Sequence, residues 1–340
     1  MLPRRPDIDR LRPRRVLSRR ISARRRAPSG AQESHRGLLM RRISLVIALA
    51  STLLGCKAFI TQSAMDTTAD VLYRAKKSTQ MESDIDLARA AIPAALKTVE
   101  GFYVANPSNQ KLIEILAEGY CSYATGFVQD DYEVARMERR FADAEHLRQR
   151  TSRLFLRCMN YGLKLLGKDW QDAIFKDLDT VKKLAAKTGK GKIKGLFWTA
   201  MGLGSAINMN RDDIAMIAHL PKAKVMLERV IQLDPKFQYG MPQLALGMMN
   251  SAQGAALGGN PEAAKQYFEQ AAAVTDGKFL MVKVMQARTY AVINQDRELF
   301  RKLLLEVLRT NPAVFPEQRL ANELAHHKAR RYLKQEKDWF

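Results

Sequence analysis

The sequence predicts an all-α array of paired helices, and three observations predict it. From residue 57 onward apolar side chains recur at spacings of three and four, as in Leu112, Ile115 and Leu116, and again in Leu154, Leu156, Met159 and Leu163. That is the period of a helix with one buried face. Alternating strand patterns are nearly absent. Prolines follow residues that can cap a helix, in Asn106-Pro107, Asp234-Pro235, Asn260-Pro261 and Asn311-Pro312, so each pair marks a break between helices. Finally, the helices that lead into these breaks are degenerate copies of one another.

Taken from the start, residues 1–39 hold twelve arginines and no lysine, against Asp7, Asp9 and Glu33. This composition has no apolar periodicity and reads as translated upstream sequence or a disordered arm, with Met40 as the true start. A nucleic-acid-binding tail would suit the arginine density, but aromatic residues are not interleaved with it. No nucleic-acid partner is expected. Residues 40–56 then place Arg41 and Arg42 before an apolar run, Ile43 to Leu54, that ends in Gly55-Cys56. The run is shorter than the roughly 20 residues a spanning helix needs. Basic flank, apolar core and small residue before a cysteine form a lipoprotein signal, with Cys56 taking the lipid and becoming the first mature residue.

Removing the +9 of residues 1–39 and the +2 of Arg41 and Arg42 from the formal +21 leaves +10 for residues 57–340. The most basic stretch there is His326 to Lys337. On a lipid-anchored protein it is expected to be drawn to anionic headgroups, at roughly 1 kcal/mol per cation near the surface. The length of 57–340 suffices for one core or one elongated repeat array. Cys121 and Cys158 lie in apolar helical patterns beside Tyr120 and Met159, and buried free thiols are the expected state, although export would permit a disulfide.

The copies are clearest just before the breaks. Ala95, Val99, Phe102 and Pro107 recur as Ala223, Leu227, Val230 and Pro235, and as Phe300, Leu304, Val307 and Pro312. A weaker copy, Ala264, Phe268 and Ala271, reaches Asp276 where proline would stand. Offsets of four, seven and twelve match the second helix of a tetratricopeptide repeat. First-helix signatures appear at Trp198, Met201 and Gly202 and at Leu116, Ala117 and Tyr120. The predicted fold is therefore a tetratricopeptide-like helical-hairpin array over 57–340, with about four repeats and insertions at Asn208 to Leu220 and Gly254 to Asn260.

Several runs resemble one family. Ala117-Glu118-Gly119-Tyr120-Cys121-Ser122-Tyr123-Ala124 with Gly126-Phe127 and Asp130-Asp131 is similar to the T component associated with TRAP transporters. So are Ala218-His219-Leu220-Pro221 before Leu227-Glu228-Arg229 and Leu233-Asp234-Pro235, then Gly258-Gly259-Asn260-Pro261, Gly277 to Lys283, and Asp296 to Phe300. The resemblance spans about Thr61 to Leu333. It implies a periplasmic, lipid-anchored helical-repeat protein that forms a homotrimer, binds the substrate-binding subunit of a TRAP uptake system, and offers a passage for a small organic solute.

First helices line the inner surface in this repeat type, so aromatic and Met positions on them are candidate lining residues: Tyr120, Tyr123, Trp198, Met241 and Tyr290. Core packing requires the same stripe. No catalytic or metal-binding constellation is found, and neither enzyme activity nor a cofactor is expected. His326 and His327 are adjacent and point about 100 degrees apart, unlike a chelating pair at i and i+4. His146 lies in the charged run Arg139 to Arg150 and reads as solvated. Asp130 and Asp131, with Glu133 and Glu138, lack the glycine and alternating ligands of a calcium loop and read as a helix cap or a solvated turn. Thr188 to Lys192 lacks the order of a phosphate loop and reads as a mobile linker.

Two functions follow as expectations. The first is an accessory subunit for solute uptake. The second is an envelope assembly lipoprotein that uses its repeats to hold other cell-envelope proteins. With Lys57, rather than Asp, after Cys56, the anchor is expected in the outer membrane, facing the periplasm, if the sorting rule of enteric bacteria applies.

Overall fold

The computed structural model describes residues 63–251 and 259–340. The expected upstream segment, the signal with Met40 and the lipidated Cys56 lie outside these residues, as does most of the second expected insertion. Helix starts in the described chain are set by side chains that satisfy orphan backbone N–H groups. Asp84 accepts from the N–H groups of Asp86 and Leu87, each at 2.9 Å, and opens α2 (Ile85–Ala105). Asn109 opens α3 (Gln110–Tyr123), Asp177 opens α7 (Leu178–Lys187), Asn260 opens α12 (Pro261–Val274) and Asp296 opens α14 (Arg297–Arg309) in the same way. Each X-Pro pair named above stands at a helix end.

The remaining elements are α1 (residues 63–80), α4 (Gln129–Met137), α5 (Phe141–Leu166), α6 (Lys168–Ala173), α8 (Ile193–Met209), α9 (Ile214–Ile217), α10 (Leu220–Leu233), α11 (Met241–Asn250), α13 (Met281–Gln286), α15 (Arg319–Lys334) and α16 (Glu336–Trp339). A wide π turn, Ala124–Val128, joins α3 to α4, and a second, Ala287–Ala291, extends α13. Among the described residues there is no strand, as the all-α expectation requires.

Neighbouring helices pack in sequence order: α2 on α3, α3 on α5, α5 on α8, α8 on α10, then α10 through α14 to α15. The copied positions make this core. Ala223, Leu227 and Val230, Ala264, Phe268 and Ala271, and Phe300, Leu304 and Val307 are all fully buried. The first copy departs from the pattern, with Ala95 exposed and Phe102 half-buried. There Leu96 is the buried residue, and its side chain occupies the space a Cβ on Gly119 of α3 would take. The tightest crossing is α5 on α8, where a Cβ at Gly202 would lie 2.5 Å from Met159 N and 2.7 Å from Phe155 O.

Two expectations are corrected by this packing. Cys121 and Cys158 are joined by a disulfide with Cα atoms 5.3 Å apart, because α3 and α5 are packed neighbours whose registers bring the two positions face to face. The Thr188 to Lys192 stretch is a tied turn: Trp170 Nε1 donates to Thr188 Oγ1 at 3.1 Å, Arg229 donates to Thr188 O, and Lys192 Nζ donates to Leu166 O at 2.7 Å.

Candidate functional site

The last long helix touches the first described hairpins. Leu320 and Leu324 of α15 belong to the large core built by α2, α3, α5, α8 and α10, and Leu324 Cδ1 lies 3.1 Å from the position a Gly126 Cβ would take. Ala325, Ala329 and Tyr332 of the same helix belong to the separate core of α13 and α14. α15 therefore wedges between the two ends of the array, and the packing within residues 63–340 runs in a closed circuit. Beside this seam, the α1–α2 turn and the approach to α15 enclose a cleft of about 290 Å³ lined by Met81, Ser83, Ala313, Pro316 and Arg319.

A buried ionic network holds the seam. Asp130, only 2% exposed, accepts from Lys328 Nζ at 2.5 Å and from Arg331 Nη1 at 2.7 Å. Glu133 accepts from Arg331 Nη2 at 2.5 Å and from the Tyr332 hydroxyl at 2.8 Å, with Lys328 Nζ at 3.5 Å. Asp131, on the outer side, accepts a forked pair from Arg89 Nη1 of α2 at 2.8 and 2.9 Å. Burial alone would raise the Asp130 carboxyl, yet Lys328 and Arg331 keep it well below the usual carboxylate range. Burial likewise opposes the charge on Lys328 and Arg331, and the facing carboxylates outweigh it, raising both. Burial and Glu133 push Tyr332 up to about 12.

These residues correct two sequence expectations. Asp130 neither caps a helix nor sits in a solvated turn, because the π turn carries the helix through from α3 into α4 and aims its carboxylate at α15. The basic stretch His326 to Lys337 is not a free cationic surface either: Lys328 and Arg331 are internal, and His326 is buried with Nε2 2.9 Å from Thr310 O. Glu133, Lys328, Arg331 and Tyr332 were missed as a unit. Their one sequence signal is that Lys328 and Arg331 recur at the spacing of Ala325, Ala329 and Tyr332, the apolar side of α15.

The five lining candidates are spread over two cores. Tyr120 is buried, stacks on Tyr161 with centroids 5.9 Å apart, and accepts from Arg157 Nη1 at 3.1 Å; burial and then Glu100 push its hydroxyl up to about 12. Tyr123 is buried with its ring 5.8 Å from Phe127. Trp198 is buried 4.6 Å from Phe197, and its Nε1 has no hydrogen-bond partner among the described residues. Met241 and Tyr290 are half-buried in the cluster around Phe268, whose ring lies 6.4 Å from that of Tyr290. Tyr120, Tyr123 and Trp198 share the large core, Met241 packs against both cores, and Tyr290 stands apart from the first three.

His219 stands at the start of α10, where Lys222 Nζ is 3.0 Å from its Nδ1 and donates to Ile174 O at 3.1 Å. His146 is exposed. No group of three or more potential metal-ligating side chains occurs among the described residues, and none of their helices is long and apolar enough to cross a membrane.

The sequence profile of the TRAP transporter T-component family matches residues 81–340. The chain belongs to that family. An uncharacterized protein of Treponema pallidum (strain Nichols) is 24% identical over 253 residues, covering 73% of this chain and 78% of the relative. The part matched as a T-component begins at the α1–α2 turn and contains every residue of the network that joins α4 to α15. As a T-component, the protein is an accessory part of a TRAP transporter.

Proposed function

We propose that this T-component works in the periplasm as a homotrimer held to the outer membrane by a lipid on Cys56, where it captures the TRAP substrate-binding subunit and holds or passes a small organic solute. The observation that carries the reading is the family match over residues 81–340. The closed circuit of helices supports it, since a fixed inner surface suits a partner segment or a ligand better than an open, flexing array. Within this reading, the half-buried Met241 and Tyr290 supply wall surface, while Tyr120, Tyr123 and Trp198 pack in the large core.

The test is affinity capture of the tagged protein from its own envelope, with mass spectrometry of what accompanies it. A TRAP substrate-binding subunit as the dominant partner supports the proposal. Outer-membrane assembly or cell-wall proteins in its place would support the scaffold function instead. The anchor is tested separately: Cys56→Ala abolishes labelling by a fatty-acid probe, and labelling that persists removes the lipid from the account.

A further inference from the structure

One face of α5 carries a row of cations that the fold barely neutralises. From residue 146 to residue 168 the chain holds Arg148, Arg150, Arg153, Arg157, Lys164 and Lys168, with no Asp or Glu among them. At about 100° per residue, His146, Arg150, Arg153, Arg157 and Lys164 fall within an arc of about 60°, so they form one stripe about 27 Å long. His146, Arg153, Arg157 and Lys164 are exposed, and Arg150 is half-buried. Among the described residues, Arg157 has Glu100 of α2 at 3.5 Å, whereas Arg150, Arg153 and Lys164 have no carboxylate within ion-pair distance. Glu100 is itself shared, since it also pairs with Lys97 and accepts from the Tyr161 hydroxyl at 3.1 Å. Arg148, on another side of the helix, is paired with Glu145.

Tyrosines of α2, α3 and α5 hold the stripe in place. Arg157 Nη1 donates to the Tyr120 hydroxyl at 3.1 Å, and its guanidinium carbon lies 5.3 Å from that ring's centroid. Lys164 Nζ lies 5.4 Å from the Tyr103 centroid, and Arg150 Nη2 donates to the Tyr123 hydroxyl at 3.4 Å. Tyr161 meets Tyr103 edge-on, with centroids 5.5 Å apart, and stacks on Tyr120. Cations whose stems are already packed lose less freedom when a partner arrives. Two kinds of polyanion fit the face poorly. A lipid surface is entered by apolar side chains beside the cations, yet the exposed large apolar residue of α5, Phe141, lies about 140° around the helix from the stripe. A nucleic acid strand stacks its bases on open aromatic rings, whereas Tyr120, Tyr161 and Tyr103 are packed on one another.

We propose that the face of α5 bearing Arg150, Arg153, Arg157 and Lys164 is a docking surface for a protein partner that presents a row of carboxylates along an elongated face. Guanidinium groups grip carboxylates in the plane of their two oxygens. An acidic face laid along the stripe also removes the repulsion among its like charges, and complementary potentials of this kind steer encounter and fix register. The inference rests on the partner-capture part of the proposed function and adds to it the surface that does the capturing.

The test is interferometry on the full-length protein held in phosphatidylcholine nanodiscs, with poly-L-glutamate, the purified TRAP substrate-binding subunit and phosphatidylglycerol vesicles as probes. Poly-L-glutamate and the subunit bind, more weakly as salt rises. The Arg153→Gln, Lys164→Gln double variant weakens both about ten-fold or more. Neither side chain has a hydrogen bond or ion pair among the described residues, so the variant keeps its thermal midpoint. The charge-matched Lys265→Gln, Lys302→Gln double variant, at two exposed lysines off the stripe, changes neither. Equal loss of poly-L-glutamate in the two double variants, or loss in neither, overturns the inference. Unchanged binding of the subunit to the Arg153→Gln, Lys164→Gln variant also overturns it and leaves the proposed function standing. Vesicles bound more tightly than poly-L-glutamate, and lost in that variant, overturn it in favour of a lipid surface. A subunit that ignores the wild type, with poly-L-glutamate lost from the stripe variant alone, removes that subunit as the partner and supports the acidic-face inference.

Discussion

Asp130→Asn is the most informative single substitution, because it removes the negative charge that two buried cations share while preserving shape. Asp130 and Lys328 are 2% and 3% exposed, so little water is available to replace the lost interaction. Breaking a buried pair from one side costs about 3–5 kcal/mol, as the remaining charge stays desolvated. Glu133 still faces Arg331 at 2.5 Å and Lys328 at 3.5 Å, which places the expected loss at the lower end, about 3 kcal/mol. For a domain of this size that corresponds to a fall in thermal midpoint on the order of 10 °C. Urea unfolding of wild type, Asp130→Asn, Lys328→Met and the double variant forms a cycle. A neutral pair no longer strands a charge, so the double variant loses less than the sum of the two singles, by roughly 1–3 kcal/mol. Amide exchange in α15 should rise in both singles, since that helix is what the pair fastens. Additive losses, or a loss below about 0.5 kcal/mol for Asp130→Asn, the level of an exposed surface change, would refute the reasoning.

Further outcomes follow from the same packing. Replacing Cys121 and Cys158 together by Ser opens a loop of sequence separation 37 and should cost about 4 kcal/mol on the chain-entropy estimate; thiol titration of the unfolded, unreduced protein should show neither cysteine free. Gly202→Ala should destabilise by about 1–3 kcal/mol, since its Cβ meets backbone atoms of Met159 and Phe155 that cannot swing away. Gly101→Ala in α2, where nothing lies within 4 Å, should stabilise by up to about 1 kcal/mol through helix propensity. Asp130 also sets an acid dependence. Its folded carboxyl lies below the ordinary value, so its contribution is complete above about pH 4 and is lost as pH falls through the folded value. The thermal midpoint should fall progressively as the pH goes below about 4, and fall less in Asp130→Asn.

Helix periodicity and X-Pro breaks made the element order readable, because both are local: Leu227 and Val230 bury on one face whatever lies beyond them. The tight crossing at Gly202 was legible for the same reason, as a small residue at a repeat position. What escaped was anything requiring the register between distant helices. Cys121 and Cys158 each looked like a small buried apolar residue within its own helix, and only the packing of α3 against α5 shows that they meet. Asp130 looked like a cap because polar residues after a glycine-containing stretch commonly start helices, whereas the π turn at Ala124–Val128 continues one. Lys328 and Arg331 looked like surface charge because their partners are about 200 residues away. The five lining candidates show the same limit, since a helical stripe names the buried face and not which neighbour covers it.

The wedge formed by α15 also governs how the chain acquires its structure. In an open solenoid each unit leans only on its neighbours, so assembly can spread from any point and the ends can fray independently. Here the surface of α2 and of the Ala124–Val128 turn that meets α15 stays uncovered until α15 itself has been made. The final contact joins residues separated by 198 positions, a closure that local order does not accelerate. Once made, it ties the two ends of the described array to each other. Loss of the last twenty residues, which include Arg331 and Tyr332, would therefore weaken the first hairpins as much as the last.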